Sequence, residues 1–383
     1  MKCTVCRSAL GEPIYQSDSD RSLSSLCELQ LVRCRVWLCP TCAHLRSAEM
    51  ADQVSYYASE YRISLDSEDE DQIYEVIGGR IVYRTQHQVE TLLHRLDLKS
   101  GTQLLDYGCA KSSTMRQLLR LRGDIDVHLF DVSRMYVDHW KQFVPLERSA
   151  VDDTPANWEG RFDVVTSFFA IEHIADPVGT IEKIAALLKP GGVLYGIVPD
   201  TFGNPADFVV TDHVNHFTVP SLTRLLSTAC LGDVTIDAAV HRGALVFTAR
   251  KGGVQPSTIE LGSTIRRSND LAAYWRRVTV ALRSAEQRFD SQPSAIYGSG
   301  FYGSWIASTL EHPDRVTCFL DRSPFQQGKA LFEKPVVAPE ALPRDVGVLY
   351  VGLNPSIARD VVANLALDTA GPLERVFLDG PAS

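Results

Sequence analysis

The run Leu104-Leu105-Asp106-Tyr107-Gly108-Cys109 ends an apolar stretch with a carboxylate and a glycine. A glycine there lets the chain turn sharply and lets a ligand approach the backbone closely. Asp131, 25 residues after Asp106, closes a second apolar run, and a carboxylate in that place can accept both hydroxyls of a ribose. Val151-Asp152-Asp153 follows a third run, where a side-chain acceptor can reach an adenine amine. Three acids at three strand ends together describe a nucleoside site. Three histidines offer acid–base chemistry nearby: His173 after a fourth run, and His213 and His216 in Asp212-His213-Val214-Asn215-His216-Phe217 after a fifth. Ligands of open α/β sheets bind at such carboxyl ends, and Asp212 can raise the basicity of a neighbouring imidazole.

A second constellation stands at the amino terminus. Cys3-Thr-Val-Cys6 and Cys39-Pro-Thr-Cys42 each place two thiolates across a tight turn, and two such turns supply the tetrahedral sulfur cage that Zn²⁺ prefers. With all four positions filled, no site is left for activated water, so the expected metal is structural. Thirty-two residues separate the pairs, more than common ribbon spacing, and Cys27 and Cys34 are alternative ligands.

The elements that must position these groups follow from periodicity. Val89, Leu92, Leu93 and Leu96 recur at helical spacing over 84–96, and Lys99-Ser100-Gly101 stops that helix. Strand and helix then alternate: strand 103–107, helix 113–121, strand 127–131, helix 136–143, strand 163–168, helix 177–188, strand 193–198. Such alternation means a parallel sheet covered on both faces. A helix near 221–230 precedes two β-rich runs, 234–240 and 244–249, that meet at Arg242-Gly243 as a hairpin. The segment 252–263, rich in Gly, Ser and Pro, reads as a linker before a helix over 269–289. Beyond it, strand 294–297, helix 305–310 and strand 316–320 form a βαβ unit. The expected domains are therefore 1–75, a zinc-binding module with an aromatic and acidic segment; 76–252, a nucleoside-binding α/β domain; and 264–383, a Rossmann-like domain.

With 383 residues, 45% hydrophobic and 22% charged, the chain has the composition of a folded globular protein and not of a disordered or fibrous one. Its net charge of −9 argues against nucleic acid or anionic membrane as a partner. No apolar stretch reaches the ~18 residues of a membrane span, and reduced cysteines suit the cytoplasm. A small-molecule substrate is expected.

Five segments, in order, resemble the class I S-adenosylmethionine (SAM) dependent methyltransferases: 105–111, 129–131, 151–153, 162–177 and 188–192. The resemblance implies a cofactor-binding set of Asp106, Gly108, Cys109, Asp131, Val132, Asp152 and Phe169, with Gly108 and its neighbours along the methionine moiety, Asp131 on ribose and Asp152 facing adenine. Later glycines of that family's loop are here Ala110 and Ser112, with Lys111 between them.

The three parts in this order are similar to the deoxysugar C-methyltransferases that act on nucleotide-linked 4-keto sugars. That resemblance implies His213, paired with Asp212, as the base that takes a proton beside the ketone, with His173 and His216 as the other candidates. It also implies Tyr61 and Arg62 as residues that close over the sugar. O- or N-methylation of a saccharide or other small molecule is the alternative. Gly298, Gly300 and Gly303, with Asp321 18 residues after the last, make the dinucleotide fingerprint G-x-G-x-x-G. No Tyr-x-x-x-Lys or similar hydride-transfer pair stands near it, which favours a docking or structural role over a fused NAD-dependent oxidoreductase. A non-catalytic SAM-binding scaffold is the third class, and the intact strand-end acids argue against it.

Overall fold

A computed structural model describes residues 1–50, 56–57, 71–78, 80–256, 260–365 and 367–379. Tyr61, Arg62 and most of the acidic run after them lie outside the described residues. The chain forms two compact units, both discontinuous in sequence: 1–10, 39–203 and 214–261 make the first, and 11–38, 204–213 and 262–383 the second. Three consecutive domains were the expectation.

The first unit is built on a seven-stranded sheet. Its strands are β1 (Gln103–Tyr107), β2 (Asp126–Asp131), β3 (Ser149–Val151), β4 (Phe162–Phe168), β5 (Leu188–Pro199), β6 (Leu231–Asp237) and β7 (Ala244–Lys251). The spatial order is β3-β2-β1-β4-β5-β7-β6. The first five strands are parallel, and β7 enters antiparallel between β5 and β6. The switch point lies between β1 and β4, where chain direction away from the sheet reverses and a crevice opens at the strand carboxyl ends.

Side-chain alternation builds a core on each face. Leu105, Val165, Leu194 and Val198 point to one side, with Phe162, Ile181, Leu222 and Leu225. Leu104, Val164, Tyr195 and Ile197 point to the other, with Val89, Leu92, Met115, Leu118 and Trp140. The helices supplying these residues are α1 (Arg84–Arg95), α2 (Ser113–Leu121), α3 (Val137–Trp140), α4 (Pro177–Leu187) and α5 (Val219–Thr228). A Thr218–Ser221 capping box starts α5, typically worth ~1 kcal/mol. Two expectations shift. The helix after β2 shrinks to four residues behind a 3₁₀ turn, and β5 begins at Leu188, so Lys189-Pro-Gly-Gly192 belongs to the strand.

Cys3, Cys39 and Cys42 belong to the first of these cores, beside Phe217, Leu222 and Leu225. The short strand Leu45–Ser47, which follows the second cysteine pair, pairs with Asn215–His216. The cysteine turns are thus part of the first unit's packing.

The second unit carries a sheet of β8 (Ser294–Tyr297), β9 (Val316–Leu320), β10 (Ala330–Leu331), β11 (Lys334–Val337), β12 (Val348–Val351) and β13 (Glu374–Phe377), in the order β10-β11-β9-β8-β12-β13. Its helices are α6 (Gly262–Arg288), α7 (Phe301–Thr309) and α8 (Pro355–Ala363). Helix α6 starts inside the expected linker. Trp275 of α6 donates Nε1–H to the Pro205 carbonyl at 3.0 Å, and Tyr302 of α7 accepts the Ala206 N–H at 3.1 Å. Tyr15 packs edge-on against Phe208 at 5.5 Å. These buried partners draw 11–38 and 204–213 into the carboxyl-terminal unit.

Candidate functional site

The turn after β1 is held in a conformation that two of its side chains resist. Gly108 has φ +71°, and Ala110 and Ser112, which replace family glycines, have φ 45° and 53°. L-residues pay roughly 1–2 kcal/mol each in that region, and such strain clusters at functional sites. Asp106 and Trp140 supply the restraint. Ser112 donates its hydroxyl to Asp106 Oδ2 at 2.7 Å, Thr166 of β4 donates to Oδ1 at 2.9 Å, and Trp140 donates Nε1–H to the Ala110 carbonyl at 2.7 Å. Burial pushes the Asp106 carboxyl up to about 6, against these two hydroxyls, with the Asp131 charge adding to the rise.

A Cβ on Gly108 would lie 2.8 Å from the Ala170 Cβ. The first turn and the segment after β4 therefore touch where only glycine fits. Cys109, next to it, is buried, and burial raises its thiol well above the usual range.

Asp131 ends β2 at the other side of the crevice. Its Oδ2 accepts the Ala110 N–H at 2.7 Å and its Oδ1 the Ser133 N–H at 2.9 Å. Burial raises its pKa in spite of these bonds. An ionised carboxylate offers about four acceptor positions, so two backbone N–H groups leave capacity for a ribose diol. Val132 follows as an exposed apolar residue, suited to cover a flat base. Asp152, with φ +65°, is ion-paired with Arg134 at the surface. This cradle fits a nucleoside attached to a thioether chain: a close-approach glycine, a diol acceptor and an apolar lid.

Past β4, Phe169 also takes a positive φ, 51°, while its N–H bonds the Ile197 carbonyl at 2.8 Å. The Arg84 guanidinium lies 4.0 Å from the centre of its ring. His173 closes the 3₁₀ turn Ile171–His173, and its Nδ1 lies 2.7 Å from the Tyr57 hydroxyl. The amino-terminal aromatic stretch thus reaches a candidate base through Tyr57. His216 is fully buried, with Nε2 2.8 Å from Ser47 Oγ, a packing position for an imidazole.

In the second unit, His213 and Asp212 part from the expected pairing. His213 Nδ1 lies 2.6 Å from Asp207 Oδ1, and both residues are buried. Asp212 accepts the Ser25 N–H at 2.6 Å and the Ser25 hydroxyl at 2.7 Å. Asp207 stands six residues before His213 on the 3₁₀ segment Pro205–Val209, a spacing that no sequence pattern flags. A second group missed in the sequence lies beside Phe169. Tyr74 stacks on His87 at 3.9 Å, His241 meets Tyr74 edge-on at 5.0 Å, and the Phe169 and His241 rings are 5.7 Å apart. Burial, with Arg84 nearby, lowers the His241 pKa to about 4.

The four cysteine sulfurs gather in one cluster within 4.8 Å of one another, with Cys3–Cys42 at 3.6 Å and Cys6–Cys39 at 3.4 Å. Tetrahedral Zn–S bonds of about 2.3 Å place sulfurs roughly 3.8 Å apart, so the cluster has the dimensions of a closed cage. The hydrogen bond from Cys42 lowers the Cys3 thiol to about 5, while burial lifts Cys39 to about 11. Cys27 and Cys34 fall in the other unit.

Around the fingerprint glycines, Gly298 has φ +97°, a Cβ on Gly303 would collide with the Gly298 carbonyl, and Gly300 has open space. Asp321 accepts the Ser299 N–H at 3.0 Å and its hydroxyl at 2.6 Å. No helix among the described residues is long and apolar enough to cross a membrane.

Residues 81–231 match a family described as a methyltransferase domain. A ubiquinone biosynthesis O-methyltransferase of Xanthomonas oryzae pv. oryzae is 35% identical over 106 residues, 26% of this chain and 44% of that protein. The chain thus spans less than half the length of this curated relative. Among solved structures, phosphoethanolamine N-methyltransferase 2 of Haemonchus contortus in complex with S-adenosyl-L-methionine is 17% identical, covering 43% of this chain and 52% of that one, with a TM-score of 0.36. The CurJ carbon methyltransferase is 15% identical over 43% of this chain and 52% of its own, with a TM-score of 0.35.

Proposed function

We propose that this chain is a SAM-dependent methyltransferase acting on a small molecule, with a nucleotide-linked sugar or related glycan precursor as acceptor and carbon beside a keto group as the methylated atom. The observation that carries the first part is the cradle of Gly108, the strained turn and Asp131, inside the stretch that matches a methyltransferase domain. The acceptor class rests on the three-part resemblance to deoxysugar C-methyltransferases.

SAM, when bound, supplies a methyl group already activated on a sulfonium. What the chain must add is alignment of the acceptor and removal of its proton. Asp131 would hold the cofactor's ribose, and the Gly108 turn would leave room for its sulfonium chain beside the backbone. His173 is suited to take the proton: for Nε2 to accept it, Nδ1 must carry hydrogen and donate it to the Tyr57 oxygen, 2.7 Å away. His213 is the second candidate, because Asp207 on Nδ1 holds the tautomer whose Nε2 is basic. Tyr61 and Arg62 are proposed to cover the acceptor. The four thiolates Cys3, Cys6, Cys39 and Cys42 are proposed to hold one structural zinc. The fingerprint turn at Gly298 is proposed to dock or brace and not to bind NAD, since no Tyr-x-x-x-Lys or similar hydride-transfer pair stands near it.

A second reading, O-methylation, is favoured by the name of the curated relatives, which are O-methyltransferases. One experiment separates the two: purified protein with methyl-labelled SAM and a panel of nucleotide sugars, with and without a 4-keto group. Label on carbon, with exchange of the α-hydrogen in D₂O, supports the first reading. Label on oxygen without exchange supports the second, and no transfer to any sugar removes the acceptor class.

A further inference from the structure

Resting on that reading, we propose that Asn215 is a positioning residue that couples the four-cysteine metal site to the SAM cradle, so that metal and cofactor each strengthen the other's binding. The Asn215 side chain is fully buried in the first unit, and both ends of its amide are engaged. Its oxygen faces the cysteine turns: Thr4, between Cys3 and Cys6, donates its hydroxyl at 2.7 Å, and His44, two residues after Cys42, places Nε2 at 3.2 Å. Its nitrogen faces the segment after β4, donating to the Ile174 carbonyl at 2.7 Å and lying 3.3 and 3.4 Å from those of Ile171 and Glu172.

That segment is where the candidate chemistry sits. It carries His173, and Ala170 immediately before it lies so near the cofactor turn that a Cβ on Gly108 would fall 2.8 Å from its own. A continuous path therefore runs from the cysteine turns through Thr4 and His44 to one amide, from that amide to three carbonyls, and from them to the cofactor turn. Nothing on this path can slide, because an amide pinned at both ends has no spare donor with which to follow a displaced partner. A metal ion that fixes the Cys3–Cys6 and Cys39–Cys42 turns fixes Thr4 and His44, and through them the 3₁₀ turn. Binding linkage is reciprocal, so a cofactor that settles on the Gly108 turn must raise the affinity for the metal by the same factor. The remainder of the Asp-His-Val-Asn-His motif explains the placement: Val214 and Phe217 are buried beside it and His216 bonds Ser47, so the strand cannot turn over.

The test uses full-length zinc-loaded protein, a colorimetric chelator that competes for zinc to equilibrium and so reports its affinity, and S-adenosylhomocysteine (SAH) as the probe ligand. In wild type, saturating SAH should tighten zinc binding about fivefold or more, the lower end of ordinary coupling. Asn215→Asp keeps the acceptor toward Thr4 but turns a donor into an acceptor facing three carbonyls. It should retain one zinc per chain, bind SAH about fivefold or more weakly, and show no protection by SAH. Thr4→Ala cuts the path on the metal side with a smaller change, and by reciprocity should reduce the protection and lower SAH affinity in the zinc-loaded protein by the same factor. Should Asn215→Asp fail to fold, Thr4→Ala and wild type decide. Equal zinc affinity with and without SAH in wild type, both ligands being bound, overturns the coupling and leaves the methyltransferase reading intact. Full protection in folded Asn215→Asp, or in Thr4→Ala, also overturns it. Absence of SAH binding by calorimetry overturns both the reading and the coupling that depends on it.

Discussion

Replacing Gly108 by alanine perturbs the cofactor turn in two ways that the structure separates. The first is conformational: φ is +71°, and an L-residue there costs roughly 1–2 kcal/mol. The second is steric: the new Cβ falls 2.8 Å from the Ala170 Cβ, inside normal contact, and forcing a methyl into a packed site typically adds about 1–3 kcal/mol. Gly191, with φ +76° and open space around it, suffers only the first. Gly191→Ala should therefore lose about 1–2 kcal/mol in urea denaturation, and Gly108→Ala about 2–5 kcal/mol. Because the collision pushes Ala170 and the 3₁₀ turn after it, Gly108→Ala should also weaken SAH binding by about tenfold or more, while Gly191→Ala leaves it within about twofold. Both quantities are accessible to equilibrium unfolding and titration calorimetry. Equal losses of stability for the two variants, or unchanged SAH affinity in Gly108→Ala, would show that the close approach of the two segments carries no energetic weight.

Three further outcomes are expected. Asp131→Ala should weaken SAH by about 5- to 150-fold, since unpaired ribose hydroxyls lose roughly 1–3 kcal/mol; calorimetry showing wild-type affinity would remove Asp131 from the site. Asp106 has a folded-state pKa raised from 3.8 to about 6, so the folded protein holds its proton more tightly than the unfolded chain. Its contribution is fully present below about pH 4 and is lost as pH rises through about 6, by roughly 3 kcal/mol; Asp106→Asn should flatten that part of a stability–pH curve relative to wild type. With an acceptor in hand, the histidine that acts as base should cost ~10²–10⁴-fold in kcat when changed to alanine, with SAH affinity nearly intact. His173→Ala and His213→Ala compared side by side identify it, and Asp207→Asn should follow His213→Ala if the dyad is used.

What was legible in the sequence is what repeats locally. Apolar runs ending in Asp106, Asp131 and Phe168 announced the parallel strands, and Arg242-Gly243 announced the hairpin that pairs β6 with β7. Strand-end acids needed no tertiary information because a parallel sheet puts all its strand ends on one edge. What escaped was decided by partners distant in sequence. Asp207 reaches His213 only because a 3₁₀ segment folds it back, and Asp212, the neighbour that looked like the partner, is engaged by Ser25. Nothing in the sequence marks Asn215, between two candidate histidines, although its amide holds two turns together. Ala110 and Ser112 looked like departures from a glycine loop. The fold nevertheless imposes the left-handed backbone on them, with Asp106 and Trp140 as restraints. The division into consecutive domains failed to foresee that Trp275 and Tyr302 would draw 204–206 into the carboxyl-terminal unit.

Titration of the purified full-length chain with SAH, beside adenosine and ADP as controls, is the most direct measurement. One SAH per chain with micromolar-class affinity is expected, with much weaker binding of adenosine, which lacks the thioether chain that the Gly108 turn is proposed to receive, and of ADP, whose phosphates the cradle does not match. No SAH binding at millimolar concentration by correctly folded protein would contradict the assignment of Gly108 and Asp131 to a cofactor site, and with it the methyltransferase function.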